Sequence, residues 1–189
     1  GGPLLNYNKK MINNVNFNEV INHPKWKMGY KNSIDSSTLA NKCLELIEAM
    51  YLFQVPMGDL DIVIHPEALI HSIIEYNNST SIFNYFYNDM SIPILNFMKY
   101  ITNKKLIKID KFKFNKNLNL NFIDVDKNKF PIYDIFKNID CKLPEQIIKF
   151  NAANQYAVEL FKKDMIKYIH MPKIIEKSIS YELNASINS

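Results

Sequence analysis

Residues 23–45 read HPKWKMGYKNSIDSSTLANKCLE, a stretch that changes character in its middle. Its first half sets the only tryptophan, Trp26, among lysines and a glycine, the composition of a loop. Its second half opens a helix, because Leu39, Ala40, Cys43, Leu44, Ile47, Met50 and Tyr51 recur at helical spacing. Thr38, Asn41, Glu45 and Glu48 form the opposite, polar stripe, which leaves one face for a core and one for chemistry. Asp35 or Ser36 is the expected N-cap, where unpaired N–H groups and the helix dipole favour an anion such as phosphate. Ser36 would add a hydroxyl and Lys42 a full positive charge. Asn41 and Glu45 stand one turn apart, about 6 Å along the axis, so one ligand could span from amide to carboxylate. A small phosphorylated molecule with a chelating far end fits that series of groups. The same pattern also describes the start of an ordinary surface helix, with a lysine and two glutamates in water.

Working outward, Pro56 to Gly58 breaks the chain, and Asp61 to Ile64 reads as a short buried strand ending at His65-Pro66. Leu69–Tyr76 and Thr80–Tyr87 read as a hairpin over Asn77-Asn78-Ser79, where Asn accommodates a positive φ. Pro93 suits the first turn of a helix that runs to Tyr100. Ile101 to Asp126 alternates apolar and polar residues as extended linker strands, and its lysines between Lys104 and Lys116 read as solvated rather than as a phosphate-backbone patch. Phe130-Pro131 starts another helix, and NAANQYAVELF from Asn151 opens a C-terminal helical region with Ala152, Ala153 and Ala157 closely packed. Upstream, Leu5 to Asn22 is Asn- and Lys-rich and is expected to be mobile. The fold class is α+β: a small, mostly antiparallel or mixed sheet with helices packed on it, an extended linker, then helices. The expected divisions are a catalytic part with a lid loop (1–103), a linker (104–128) and a truncated C-terminal helical part (129–189).

A chain of 189 residues with 47% apolar content can bury one substantial core or two small ones. Its net charge of +4, all from lysine, lacks the dense basic stripe of a nucleic-acid binder. Cys43 and Cys141 are too few for a disulfide framework and lack metal-ligand spacing, so a reducing compartment is expected. No apolar run approaches the roughly 20 residues that span a bilayer, and a soluble protein is expected. His65 and His71 are six apart across a proline, without zinc-ligand spacing, so His65 is expected to be a core histidine with a satisfied hydrogen bond.

HPKWKMG, IDSSTLANKCLE with its IEA extension, IHPEALIHSIIEY, DMSIP and NAANQYAVELF together resemble the motifs of the 1-deoxy-D-xylulose 5-phosphate reductoisomerase family. The similarity runs from Gly1 to about Lys177, with Gly1-Gly2-Pro3-Leu4 resembling the back half of a GSGGPF motif. The Lys-, Asn- and Ile-rich wording, without any arginine, resembles the malaria-parasite members in particular. The resemblance implies an NADPH-dependent rearrangement and reduction of 1-deoxy-D-xylulose 5-phosphate to 2-C-methyl-D-erythritol 4-phosphate, with Mg2+ or Mn2+, in isoprenoid precursor synthesis. It implies substrate contacts from His23, Ser36, Asn41, Lys42 and Glu45, and catalytic roles for Glu45, His23, Trp26, Met28 and His71. Trp26 and Met28 would belong to a flap over bound substrate, Met28 and Gly29 would lie near the nicotinamide, and Glu45 would be the metal ligand, with Glu48 nearby. A homodimer and an apicoplast (plastid) location are implied in the same way.

The four glycines, Gly1, Gly2, Gly29 and Gly58, contain no G-x-G-x-x-G phosphate cradle. An NADPH domain and a short acidic motif with further metal ligands are therefore expected N-terminal to this segment, which alone is expected to be inactive. A reading of another class is a non-enzymatic α+β interaction or dimerisation module whose polar helix face meets solvent.

Overall fold

The stretch expected to be mobile between Leu5 and Asn22 holds two short capped helices, α1 (Lys9–Asn13) and α2 (Phe17–Ile21). Asn8 accepts from the Met11 N–H at 3.0 Å, and Asn16 and Glu19 form a reciprocal capping box. The asparagines therefore stop and start helices rather than loosening the chain, and Val20 is fully buried. The structure, a computed structural model, describes residues 2–22, 29–102 and 118–181.

Two helices stand where the apolar spacing predicts one, namely α3 (Tyr30–Thr38) and α4 (Ala40–Phe53). They meet at Leu39, which adopts the left-handed conformation with φ 63°. That conformation costs a leucine roughly 1–2 kcal/mol. Burial of the Leu39 side chain and an Ala40 N–H bond to the Thr38 hydroxyl at 3.3 Å oppose the cost. Asp35 and Ser36 consequently lie inside α3 and cap nothing, which corrects the expected N-cap. On α4, Ala40, Cys43, Leu46 and Ile47 are buried, whereas Tyr51, expected on the core face, is exposed.

Packing divides the chain into two compact units. One is Val63–Asp124, which contains the hairpin β1 (Ile70–Glu75) and β2 (Ser81–Tyr85) as well as α5 (Ser91–Thr102). The strands are antiparallel, pairing Ile73 with Phe83 and Ile74 with Ile82. In the turn the positive φ falls on Ser79 rather than on an asparagine, while Asn78 accepts from the Thr80 N–H and hydroxyl. The strand expected at Asp61–Ile64 is reduced to one antiparallel bridge between Ile64 and Ile123. Asp89 accepts from the Ser91 N–H at 2.9 Å, and Pro93 sits in the first turn of α5 as expected. Most of the linker expected from Ile101 lies outside the described residues.

The other unit joins the residues up to Ile62 with those from Val125 onward. It contains α6 (Pro131–Lys137), α7 (Pro144–Lys162) and α8 (Met171–Ser180). Leu4, Ile34, Ile132, Phe136, Phe150, Val158, Met171 and Ile175 are almost fully buried, and Phe136 meets Phe150 at 5.4 Å between ring centroids. The NAANQYAVELF motif fills the second half of α7 rather than its start. Its buried positions, Ala153, Asn154, Ala157, Val158 and Phe161, follow the helical period, and Ala152 faces outward. The fold is α+β with a small antiparallel sheet, as the sequence predicts. Among the described residues, no helix is long and apolar enough to cross a membrane.

Candidate functional site

The polar face of α4 begins where the chain leaves Leu39. Cys43 is the first residue to bond back along α4, to the Leu39 carbonyl at 3.1 Å, so Asn41 and Lys42 occupy the opening turn. The helix start is therefore real but lies about one turn beyond the expected cap, and it carries two of the expected ligand-binding residues. Asn41 Nδ2 donates to Glu45 Oε1 at 2.5 Å, and Lys42 Nζ donates to Glu45 Oε2 at 2.6 Å. The Lys42 and Glu45 side chains are 51% and 44% exposed. An exposed pair of this kind contributes only about 0–1 kcal/mol, so a ligand can replace it at little cost. Glu48 is exposed on the same helix.

Ser36 is held from the other direction. Gly2, with φ +49°, sits in a turn of 3-10 helix (Gly2–Leu4) against α3. A Cβ there would stand 3.0 Å from Ser36 Oγ and 3.1 Å from the Ser36 carbonyl carbon and the Ser37 nitrogen. Glycine suits this approach, because a side chain would be strained by the positive φ and tight against the α3 backbone. On either side of Ser36, buried Asp35 and Ser37 bond to Asn154 and to Tyr168. Gly2, Asn154 and Tyr168, which meet this part of α3, have no role in the sequence reading. Asn154 lies inside a motif whose alanines are expected to pack closely, and nothing in the local sequence marks Tyr168.

His23, Trp26 and Met28 lie outside the described residues. Gly29 is the N-cap of α3 with φ −61°, and a Cβ there would meet nothing within 4 Å, so neither its backbone nor its described surroundings require glycine. His71 belongs to β1 in the Val63–Asp124 unit, its ring stacked on Phe86 at 3.7 Å and 9°. His65 is satisfied on one nitrogen alone: Nδ1 lies 2.8 Å from the Asn121 carbonyl and 3.1 Å from Glu67, with the ring on Phe122, whereas the buried Nε2 has no hydrogen-bond partner among the described residues. Burial would raise the Glu67 carboxyl, but bonds from Asn121, a backbone bond and nearby His65 hold it below its ordinary value.

Among the described residues, no three His, Cys, Asp or Glu side chains converge as a metal site. Glu45 offers one hard oxygen donor group where Mg2+ needs a six-oxygen shell, so the described residues alone do not fit the ion. A separate cavity of about 540 Å³ is bordered by Tyr7, Lys9, Thr38, Lys129, Phe130 and Tyr168. Among the described residues, Ser36, Asn41, Lys42 and Glu45 are not part of its lining.

By itself the geometry defines a class: an α+β protein that presents an amide, an ammonium and a carboxylate side by side at the start of one helix. Comparison with known proteins narrows it. The family described as "1-deoxy-D-xylulose 5-phosphate reductoisomerase C-terminal domain" matches residues 1–53, and that described as "DXP reductoisomerase C-terminal domain" matches residues 87–189. The chain belongs to the DXP reductoisomerase C-terminal domain family. It is 34% identical to the 1-deoxy-D-xylulose 5-phosphate reductoisomerase of Clostridium acetobutylicum, over 98% of this chain and 48% of the relative. It is 37% identical to that of Malacoplasma penetrans, over 100% of this chain and 49% of the relative. A DOX-P reductoisomerase crystallised with NADPH, fosmidomycin and magnesium superposes with a TM-score of 0.87 at 31% identity, covering 96% of this chain and 44% of that one. The Zymomonas mobilis reductoisomerase in complex with NADPH gives a TM-score of 0.81 at 30% identity, covering 100% of this chain and 48% of that one. The chain thus spans about half the length of the curated relatives it matches.

Proposed function

We propose that this chain supplies the substrate-binding part of an NADPH- and divalent-metal-dependent reductoisomerase that converts 1-deoxy-D-xylulose 5-phosphate to 2-C-methyl-D-erythritol 4-phosphate. The observation that carries the reading is the helix start at α4, where Asn41 and Lys42 each lie within hydrogen-bond distance of Glu45. Asn41 and Lys42 are donors in the opening turn of a 14-residue helix and suit a phosphate together with the Ser36 hydroxyl. Glu45 would repel that anion unless a cation stood between them, which is the physical reason to assign it to the metal. One carboxylate does not complete a metal site.

His23, Trp26 and Met28 are assigned to substrate contact and closure, Met28 and Gly29 to the nicotinamide, and His71 to the active site. These roles are supported by their places in family motifs. The same support underlies the division into catalytic part, linker and C-terminal part, and a homodimeric assembly. The finer assignment to a malaria-parasite, apicoplast enzyme rests on the Lys-, Asn- and Ile-rich, arginine-free composition, whereas the relatives named above are bacterial. A second reading, an interaction module, draws on the exposed apolar side chains of the Val63–Asp124 unit.

The test uses the full-length protein. Lys42→Ala and Asn41→Ala should each raise KM for the phosphorylated substrate by about tenfold or more, since hydrogen bonds to charged groups contribute roughly 1.5–3 kcal/mol. Unchanged KM in both variants would return this face to solvent and favour the interaction module.

A further inference from the structure

Among the described residues, the buried polar side chains are Ser33, Asp35, Ser37, Thr38 and Asn154. Four belong to α3, and the fifth reaches α3 from α7: Asn154 Nδ2 donates to Asp35 Oδ1 at 2.9 Å. The other Asp35 oxygen accepts from Lys31, one turn earlier on α3. Beyond Ser36, the Ser37 hydroxyl donates to the Ile34 carbonyl at 2.7 Å. That bond commits the Ser37 proton, so in the 3.1 Å contact between Ser37 and Tyr168 the phenol is the donor. Both sequence neighbours of Ser36 are therefore tied to the C-terminal helical body, across 119 and 131 residues of chain.

Stability alone does not account for this arrangement. A buried carboxylate is expensive to desolvate, and apolar side chains of the same shape often serve a core equally well. Among the described residues the buried Asn154 carbonyl oxygen has no hydrogen-bond partner, so within them the amide is only partly satisfied. What these bonds do achieve is to fix the backbone of α3 on both sides of one partly exposed hydroxyl, which Gly2 presses from a third direction.

We propose that Asn154 and Tyr168 are positioning residues for Ser36, holding its hydroxyl in register with the phosphate-binding start of α4. The proposal rests on the reading of Ser36, Asn41 and Lys42 as phosphate contacts. In the full-length enzyme, Tyr168→Phe deletes a single hydroxyl, and Asn154→Leu replaces the amide with an apolar side chain of similar size while Lys31 still pairs Asp35. Each variant should raise KM for the phosphorylated substrate about three- to tenfold with kcat within about twofold, the pattern of lost binding rather than lost chemistry. Each effect should vanish in a Ser36→Ala background, because a residue acting through another is non-additive with it.

A purely structural role would lower Tm and leave KM alone, or would add to Ser36→Ala, and either result overturns the proposal. Tyr168→Phe retains the full ring and so keeps the test alive should Asn154→Leu fail to fold. If Ser36→Ala, Asn41→Ala and Lys42→Ala all leave KM unchanged, the phosphate reading fails and takes this proposal with it. If those three raise KM while Tyr168→Phe does not, the positioning proposal fails alone.

Discussion

At the scale of single residues, Glu45 is the side chain whose charge organises the α4 face, since it accepts from Asn41 on one oxygen and from Lys42 on the other. Glu45→Gln keeps the size and one acceptor but removes the charge that a hard cation requires. In the full-length protein this variant should weaken Mn2+ binding, followed by electron paramagnetic resonance, about tenfold or more, since affinity for a hard cation tracks ligand charge. Inhibition by inorganic phosphate should be unchanged or tighter, because Lys42 loses its competing partner. Glu48→Gln, exposed on the same helix, should have the smaller effect; a wild-type Mn2+ isotherm for Glu45→Gln beside a collapsed one for Glu48→Gln would transfer the metal role to Glu48. The relation of Asn41, Lys42 and Glu45 was legible in the sequence because spacings of one, three and four residues have fixed meaning on any helix, wherever it begins. The constraint on Gly2 was not, since it depends on a turn meeting α3 some 34 positions away in sequence, a proximity that exists only in the folded chain.

At the scale of elements, the hairpin and the starts of α5 and α6 were readable from local turn and proline chemistry. The break between α3 and α4 was not. Leucine has no local preference for the left-handed conformation, so the joint exists only because tertiary burial of Leu39 outweighs its strain. The asparagines before residue 23 were misread for a related reason: the same side chain favours a loose turn and a helix cap, and only packed Val20 decides between them. Another tie between elements is open to measurement. Tyr133 on α6 donates to Asp61 at 2.7 Å, and Lys137 lies 3.4 Å from the same oxygen. Burial pulls the Asp61 carboxyl up, but the bonds from Tyr133, the Ile62 N–H and Lys137 together hold it below its usual value. A depressed folded-state value means that the contribution is complete above the ordinary carboxylate range and is lost as pH falls through the folded-state value. Asp61→Asn should therefore lower Tm modestly at neutral pH and flatten the decline of Tm below about pH 4. Parallel acid profiles for the two proteins would remove this tie from the account of stability.

At the scale of the whole molecule, motif boundaries and packing boundaries answer different questions. The divisions at 103 and 128 follow where family motifs stop and start, whereas compactness cuts the chain between Ile62 and Val63 and between Asp124 and Val125. The Val63–Asp124 unit is the more unusual part, because α5 has no buried residue and its Ile94, Phe97 and Tyr100 are exposed, as are Ile74, Ile82 and Phe83 on the hairpin. Covering the exposed apolar surface of this unit would stabilise an assembly by about 25 cal/mol per Å². If that surface joins two copies, the full-length protein should sediment as a dimer at micromolar concentration. Ile82→Lys and Phe97→Lys should each raise the dissociation constant by about tenfold or more, since a charge at the centre of an apolar interface must be desolvated without a partner. A monomeric wild type would end the dimer reading and return these side chains to packing within the longer chain. A dimer that neither lysine weakens would place the interface on another surface.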